Sequence, residues 1–408
     1  MKKIYLIAIL FFLFIAGGCN KDNSDSLIIQ PNYQNDLQKL ADGHWDRFAE
    51  GKVNFPGGYA LQIFSPVGDY FVSTGDLSSF TNRTHFRGAS TTKTFTAAAI
   101  VLLHQQGKLN INHFVTQDIP GTTTPYLPDT EDFNIPFKDK ITIRSLLQHR
   151  SGMFDVINTN IPDSVDQPYA GMRYVDYIIK DLDEPFHTFT ITEMAQVVSE
   201  NQLYADAPDQ HYHYSNTGYG LLALIIERIS GQRYDQFLKE HLLVPNELSE
   251  TSFPYEGTDI TMPEPFASSF YYFGGEQVNV TEHNVSMHVA EGNIITTPLD
   301  LSTWMRNLYT GQAGIENKYV QFLMMDCQPT YESHQYYGLG TTFTPALGYG
   351  HNGGHKAFFT AARYDPETDI TFVVYTNVWD FDVMDVDLYA EILNLYDLVY
   401  DAKKMVHQ

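Results

Sequence analysis

Two residues at the start of an apolar stretch have the types and the spacing of an activated nucleophile. Ser90 and Lys93 lie three positions apart, just before the run "FTAAAIVLL". On a helix this spacing places both side chains on one face, within reach of each other. A serine hydroxyl is a weak nucleophile until a base takes its proton, and burial favours the neutral, basic form of a lysine. The pair therefore predicts nucleophilic acyl transfer, with the positive end of the helix beside the forming oxyanion.

The same two residues also have a structural explanation that needs no chemistry. Ser90 would cap the helix, and the Lys93 stem would lie along the core while its ammonium reaches solvent. Ser-x-x-Lys is expected about once by chance in a chain of this length at ordinary residue frequencies, and it occurs once. The pattern needs support from other segments.

A second candidate segment stands just before another apolar helix, at Tyr214-Ser215-Asn216. A phenol can pass protons, and an amide can orient a lysine and bind a substrate carbonyl. Tyr-x-Asn is a weak pattern alone, because it recurs in residues 33–35 and 375–377. The first copy lies near the N-terminal tether, and the second follows a strand of predicted core.

The third candidate segment is His351-Asn352-Gly353-Gly354. Its glycines would let a substrate lie close against a strand. The backbone amides of Gly354 and Ser90 would then form an oxyanion hole with two donors. Alternatively, the two glycines form an ordinary hairpin turn and His351 is a surface histidine.

The elements that must position these residues predict an α+β fold. Strand patterns lie near the N-terminal end, in "YALQIFSPVGDYFVSTG", and again from Tyr337 onward. The middle of the chain is mainly helical. One amphipathic helix is predicted to begin near Asp36, and another is predicted at the C-terminal end. We expect an antiparallel β-sheet flanked by helices and built from both chain ends. A mostly helical region, about residues 110–300, is inserted between them.

The N-terminus has the pattern of an export signal: Lys2 and Lys3, an apolar run over residues 4–15, then "AGGC". The run is shorter than the ~20 residues that span a bilayer, although a membrane anchor helix is the alternative. "IAGGC" resembles the bacterial lipoprotein box, which implies cleavage before Cys19 and acylation of its thiol. We expect a signal peptide over 1–18, a lipidated cysteine and flexible tether over 19–35, and a single catalytic domain over 36–408.

The composition narrows the classes of function. A formal net charge of −24 argues against nucleic-acid binding, which needs clusters of Lys and Arg. After lipidation of Cys19 the remaining cysteine, Cys327, has no partner, so no internal disulfide is expected. The chain is expected to be an exported bacterial lipoprotein, periplasmic or at the cell surface, and to work as a monomer.

Taken together, the three segments resemble the serine β-lactamase-like superfamily, near the class C β-lactamases and D-alanyl-D-alanine carboxypeptidases. That family orders its motifs as Ser-x-x-Lys, Tyr-x-Asn and then Lys- or His-x-Gly. Further segments resemble the family in the same order, among them "ITIRSLLQHRSGM", "YSNTGYGLLALIIERISGQRYDQFL" and "TTPLDLSTWM". The resemblance extends from about residue 55 to the C-terminus.

The resemblance implies a role for each matching residue. Ser90 would be the acylated nucleophile, and Lys93 and Tyr214 would share the general base and acid work. Asn216 would orient Lys93 and the acyl side of the substrate. The third motif would supply the remaining substrate and oxyanion contacts, at His351, Asn352, Gly353 and Gly354.

Three positions depart from the family pattern. His351 stands where many β-lactamases have lysine, and a histidine with an ordinary pKa of ~6.5 is mostly neutral at pH 7. It offers little charge for a substrate carboxylate or for a Tyr214 phenolate, so we expect Lys93 to be the resting base. Pro208-Asp209 replaces a common Pro-Gly, and Ala357 replaces a common glycine.

The sequence thus predicts a two-step serine hydrolase that needs no cofactor. Its substrate would be a small molecule or peptide with an acyl group: a D-Ala-D-Ala peptide, a β-lactam or a small ester. One rival is a metallohydrolase, since His211 and His213 alternate and His351 is near His355. The other is a non-catalytic binding protein of related fold.

Overall fold

The computed structural model of the protein describes residues 32–330, 335–382 and 388–407. The predicted signal peptide, Cys19 and most of the predicted tether lie outside the described residues. From Asn32 onward the chain forms one compact unit. Within the described ranges, no helix combines the length and the apolar character needed to cross a membrane.

The strands of the described residues are, in chain order, β1 (Tyr59–Ser65), β2 (Gly68–Ser73), β3 (Phe86–Ala89), β4 (Phe270–Phe273), β5 (Glu276–Asn279), β6 (Ile294–Thr296), β7 (Gln328–Pro329), β8 (Tyr336–Tyr337), β9 (Thr342–Thr344), β10 (Gly348–His355), β11 (Phe358–Asp365), β12 (Ile370–Thr376) and β13 (Val378–Asp380). The helices are α1 (Gln34–Ala49), α2 (Thr92–Gln105), α3 (Ile143–Leu147), α4 (Tyr174–Asp176), α5 (Ile191–Glu200), α6 (Asn216–Ser230), α7 (Tyr234–Leu238), α8 (Pro298–Tyr309), α9 (Asn317–Tyr319) and α10 (Leu388–Val406).

One antiparallel sheet joins the two ends of the chain, as the sequence predicts. Its eight strands lie in the order β2-β1-β12-β11-β10-β9-β8-β7. The N-terminal strand β1 pairs with the C-terminal strand β12 over six residue pairs, from Tyr59 with Thr376 to Phe64 with Thr371. The regular elements between β2 and β7 are mainly helices, with the short strands β3, β4, β5 and β6 among them, so the α+β fold class is confirmed.

Alternation along the central strands divides the core into two layers. On β12, Phe372 and Val374 pack with α1 and α10 on one face of the sheet. Val373 and Tyr375 face the other way, into the larger core that contains α2, α6 and α8. Because successive side chains of a strand point to opposite faces, the fully buried run "ITFVVYT" supports a helical layer on each side.

Some elements differ from the sequence prediction. Helix α1 begins at Gln34, so the last two residues of the predicted tether are helical. The strand pair β3–β6 and the small sheet β13-β4-β5 were not predicted. These strands have three or four residues each, too few for a period of two to emerge from the sequence.

Helix α10 is fixed to the sheet by a buried ion pair. Lys403 Nζ lies 2.6 Å from a carboxylate oxygen of Asp365, at the end of β11, and 2.5 Å from the carbonyl oxygen of Ala346. The two charged side chains are only 8% and 6% exposed. The Asp365 carboxylate also accepts the Glu367 N–H and the Thr368 hydroxyl, but loss of Lys403 would leave it nearly buried without an opposite charge.

We expect Lys403→Met to lower the free energy of unfolding by about 3–5 kcal/mol, because the Asp365 carboxylate would stay buried without its partner. Urea denaturation measures this change. Lys404→Met is the matched control: its ion pair with Asp401 is on the surface, with the lysine 75% exposed, and should change stability by less than about 1 kcal/mol. Equal effects of the two substitutions would show that the buried Lys403–Asp365 pair contributes no more to stability than the surface pair.

Candidate active site

Ser90 lies in a tight turn between strand β3 and helix α2. Ala89, the last residue of β3, has a φ of 48°, in the left-handed region. The Thr92 hydroxyl donates to the Ala89 carbonyl oxygen at 2.8 Å and accepts the Ile294 N–H at 3.1 Å. These bonds hold the turn against β6 and leave the half-buried Ser90 at the wall of a cleft. Helix α2 begins at Thr92, so Lys93 is helical and Ser90 lies two residues before the helix. The sequence-based interpretation had both residues on the helix.

Lys93 joins Ser90 to two distant segments. Its amine, with no exposed surface, lies 3.2 Å from Ser90 Oγ and 2.7 Å from Asn216 Oδ1. It also lies 2.9 Å from the Glu291 carbonyl oxygen and 3.2 Å from the Glu291 carboxylate. Burial lowers the pKa of Lys93, and the charges of Glu291 and Asp155 offset part of that effect. The neutral amine that a general base requires is therefore favoured.

Asn216 is held in one orientation from both sides. Ser215 caps helix α6 by accepting the Gly218 N–H at 3.2 Å, which places Asn216 at the first helical position. The Asn216 amide nitrogen donates to the buried Asp155 carboxylate at 3.3 Å. Its oxygen must then face Lys93. Burial and the nearby Glu291 charge raise the pKa of Asp155 to about 6.

Tyr214 completes the group around Ser90. Burial raises the pKa of its phenol well above the ordinary value, and a hydrogen bond with Ser90 acts in the opposite direction. Lys93 Nζ lies 4.7 Å from the centre of the Tyr214 ring. A phenol that keeps its proton is suited to donate one, which agrees with the expectation that Lys93 is the resting base.

His351 is neutral, and both of its ring nitrogens are hydrogen-bonded. The Ser215 N–H donates to His149 Nδ1 at 3.1 Å, so the neutral His149 ring carries its proton on Nε2, 3.2 Å from the Tyr337 hydroxyl. Tyr337 in turn lies 3.0 Å from His351 Nε2, and His351 Nδ1 donates to the Asn352 carbonyl. Burial and the Lys93 charge lower the pKa of His351 to about 3.

Gly353 brings the third motif against the nucleophile. A Cβ atom at this position would lie 2.4 Å from the Gly88 carbonyl oxygen and 3.1 Å from the Ser90 backbone nitrogen. Strand β10 can approach the Ser90 turn this closely only because residue 353 has no side chain. Gly354 follows on the same strand and lines the cleft beside Ser90. The expected pair of oxyanion donors, the amides of Ser90 and Gly354, thus borders one cavity.

Asn352 has different partners from those expected of a substrate ligand. Its side-chain oxygen accepts from Arg363 Nη2 at 3.0 Å and from the Tyr396 hydroxyl at 2.7 Å. Arg363 is fully buried and also binds the carbonyl oxygens of Thr342 and Gly348. The Asn352 side chain therefore links β10 to β11 and α10.

The three predicted segments meet at one cleft with a volume of about 330 Å³. Ser90, Tyr214, Asn216 and all four residues of the third motif, 351–354, line it. The other two copies of Tyr-x-Asn lie elsewhere, at the start of α1 and in the buried strand β12.

Sequence reasoning missed four residues of this site. Asp155, Glu291, His149 and Tyr337 contact the catalytic side chains or the third motif but belong to no short pattern. The aromatic stretch "HQYYGLG" around Tyr337 was one available signal, since such a stretch is typical of strand core and can also line a pocket. A buried acid is unusual without a partner, so Glu291 in the apolar context "HVAEGNII" was a second signal.

The histidines of the metal alternative are placed in separate surroundings. His211 contacts Asp206, and His355 Nε2 lies 2.6 Å from His283 Nε2. Within the described ranges, no group of three or more His, Cys, Asp or Glu side chains is arranged to hold a metal ion.

Comparison with known proteins agrees with this geometry. The family model described as Beta-lactamase matches residues 69–396, which include all three motifs. The chain belongs to the β-lactamase family. The resemblance inferred from the sequence is confirmed.

Curated relatives of this β-lactamase-family chain match only in part. A probable hydrolase, clz13, of Cochliobolus lunatus is 28% identical over 55% of this chain and 38% of its own length. Penicillin-binding protein 4* of Bacillus subtilis is 30% identical over 41% of this chain and 30% of its own length. The alignments thus cover less than half of either relative.

A solved structure matches the fold over nearly its full length. The D-amino acid amidase of Ochrobactrum anthropi SV3 superposes with a TM-score of 0.70 and covers 92% of this chain and 99% of its own, at 22% identity. The likeness confirms the β-lactamase/transpeptidase-like architecture.

We expect Tyr214→Phe to slow acylation by about 100-fold without abolishing it, because Lys93 still takes the Ser90 proton. The pH at which the rate rises should stay unchanged. Second-order rates of labelling by a fluorophosphonate across pH measure both quantities. Tyr219→Phe is the control: its ring also lies near Lys93, at 5.3 Å, but its hydroxyl donates to the Leu147 carbonyl. Total loss of labelling at every pH in Tyr214→Phe would contradict Lys93 as the base.

We expect Gly353→Ala to displace β10 from the Ser90 turn, because the new methyl group would overlap backbone atoms. The strain should lower the free energy of unfolding by about 1–3 kcal/mol and reduce fluorophosphonate labelling. Gly220→Ala within α6 is the control, since its Cβ would meet only Ile191 Cγ2 at 3.9 Å. Normal stability and labelling in Gly353→Ala would show that the close approach is not needed.

Proposed function

We propose that the protein is a serine hydrolase that cleaves amide or ester bonds through an acyl-enzyme on Ser90. The observation that carries this proposal is the contact of the Ser90 hydroxyl with a buried, desolvated amine at the wall of a cleft. Lys93 would take the Ser90 proton as the serine oxygen attacks the carbonyl carbon. The amides of Ser90 and Gly354 would stabilise the oxyanion.

Tyr214 would donate a proton to the departing nitrogen or oxygen and regain one from the Lys93 ammonium. Water would then attack the acyl-enzyme with the same groups acting in reverse. The protein would act alone on a small-molecule or peptide substrate, without a cofactor.

The charges of the cleft favour a substrate whose leaving group is uncharged. No lysine or arginine among the described residues lines the cleft, since Lys93 is sealed beneath it. His351 is held neutral by burial and is engaged by Tyr337. A C-terminal carboxylate would lose hydration on binding here without gaining a fixed cation. The geometry thus supports amides and small esters, and likeness to a D-amino acid amidase supports D-amino acyl groups.

A D-alanyl-D-alanine carboxypeptidase or a β-lactamase-like activity is the second candidate. The partial match to penicillin-binding protein 4* favours it, but both substrates carry a carboxylate that the cleft leaves without a cation. We also propose that the protein is an exported lipoprotein anchored to a membrane through Cys19. This last proposal rests on the N-terminal sequence pattern alone.

We expect a fluorophosphonate to label the wild-type protein and not Ser90→Ala, because labelling needs an activated hydroxyl. Turnover of p-nitrophenyl esters and D-amino acid amides should vanish in the same variant. Labelling of Ser90→Ala at the wild-type rate would refute the nucleophile, and absence of labelling in wild type would favour a non-catalytic binding protein.

A matched substrate pair separates the two candidates. A D-Ala-D-Ala peptide and its C-terminal amide should have kcat/KM values within about threefold of each other, since no cation recognises the free acid. A preference for the acid of about tenfold or more, equivalent to ~1.4 kcal/mol, would support the carboxypeptidase instead.

A further inference from the structure

Glu291 has an unusual place in the site. It is 2% exposed, and both its backbone carbonyl and its carboxylate face the amine of Lys93. The other carboxylate oxygen accepts a hydrogen bond from His288 Nδ1. A buried acid in such a position requires a reason, because removing its charge from water costs several kcal/mol.

The contacts of Lys93 fit a neutral amine with a charged neighbour. The two shortest, 2.7 Å to Asn216 Oδ1 and 2.9 Å to the Glu291 carbonyl, use the two hydrogens of a neutral amine. Its lone pair then faces Ser90 Oγ at 3.2 Å. The Glu291 carboxylate at 3.2 Å is a further acceptor for the amine, and it forms an ion pair with Lys93 once the amine is protonated.

The backbone around Glu291 is shaped for this contact. Ala290 has a φ of 74°, which is strained for a residue other than glycine. The Ala290 carbonyl accepts from the Thr96 hydroxyl at 2.6 Å, on the same helix as Lys93. The His288 carbonyl accepts the Glu291 N–H at 3.1 Å and the Gly292 N–H at 2.9 Å. A strained, fully bonded loop thus fixes the carboxylate beside the amine.

We propose that Glu291 is a positioning residue for acylation: its carboxylate is the counter-charge for the Lys93 ammonium that forms as Lys93 accepts the Ser90 proton, and His288 holds it in place. In this step the Ser90 O–H bond breaks and its proton joins the Lys93 lone pair. The serine oxygen bonds to the carbonyl carbon, and the carbonyl π electrons move to its oxygen. Glu291 exchanges no proton. The inference rests on the proposed function.

The electrostatic surroundings agree with this role. Burial alone would raise the pKa of Glu291, but its interactions with protonated Lys93 and with His288 outweigh burial, so the carboxylate is ionised when Lys93 is an ammonium. The other titratable groups that face Lys93 or Glu291 come from three parts of the chain. These groups are Asp155 and His149 from the loop after α3, Tyr214 and Tyr219 at α6, and His351 on β10. His355 lies behind His288, with ring centres 4.3 Å apart.

The decisive test is the pH dependence of acylation in Glu291→Gln. Removing the anion disfavours the ammonium, so the pKa of Lys93 falls and the neutral base persists to lower pH. We expect the rising limb of the labelling rate to move down by about one pH unit or more. The weaker base should also lower the plateau by about tenfold. Second-order labelling rates with a fluorophosphonate between pH 5 and 10 measure both.

Three further variants sharpen the test. Glu291→Asp should move the limb in the same direction by less, and it carries the test if the glutamine variant does not fold. His288→Leu should also give a smaller shift, and a wild-type profile there would refute the part assigned to His288. Asp300→Asn removes another buried carboxylate, one that binds Thr251 and the Glu250 amide. It should leave the limb in place.

The outcomes distinguish this inference from the proposed function. A labelled wild type whose limb stays in place, or moves to higher pH, in the Glu291 variants would overturn the counter-charge and leave the serine hydrolase intact. A uniform loss of rate without a shift would assign Glu291 a structural role only. A wild type that is not labelled at all would refute the proposed function itself.

Discussion

An amine group without access to water must direct each N–H to an acceptor, and this requirement ties together the parts of the fold that form the site. Lys93 lies on the buried helix α2, and its acceptors come from α6 and from the loop before β6. Those acceptors are 123 and 198 residues away along the chain. Two separate parts of the inserted region, around Asn216 and around Glu291, must therefore pack on α2 before the amine is satisfied. The proposed nucleophile depends on this packing, because the same burial favours the unprotonated amine.

A second constraint lies on the opposite wall of the cleft. The chain of hydrogen bonds from the Ser215 N–H through His149 and Tyr337 to His351 is directional, since each donor has one acceptor. A proton added to His149 would break its bond with the Ser215 N–H, and a proton added to His351 would require the Tyr337 hydroxyl to accept rather than donate. Either proton would place a cation near Lys93. Burial and the Lys93 charge both oppose this. The wall is thus neutral for a structural reason, and its neutrality limits the substrates that the cleft can attract.

The sequence predicted the parts of the site that are local and missed those that are not. Ser90 and Lys93 are three residues apart, and Tyr214 and Asn216 flank a helix cap, so spacing alone brings them near each other. Asp155 and Glu291 reach the same atoms from distant loops, and no periodicity records such a contact. Asn352 is the opposite case: it belongs to a sequence motif, but the motif does not reveal its partners. The motif includes it, yet the alternation of β10 turns its side chain toward Arg363 and Tyr396, partners that no pattern in the sequence connects to it.

Two left-handed alanines stand directly before the residues that face Lys93. Ala89, with a φ of 48°, precedes Ser90, and Ala290, with a φ of 74°, precedes Glu291. Glycine would adopt either conformation without strain but would lose more entropy on folding. With alanine, each strained turn persists only because the surrounding bonds over-determine it: the Thr92 hydroxyl at one and the Thr96 hydroxyl at the other. Both hydroxyls belong to α2. One helix therefore carries the proposed base and also fixes the proposed nucleophile and counter-charge beside it, so that little reorganisation would remain when the proton moves.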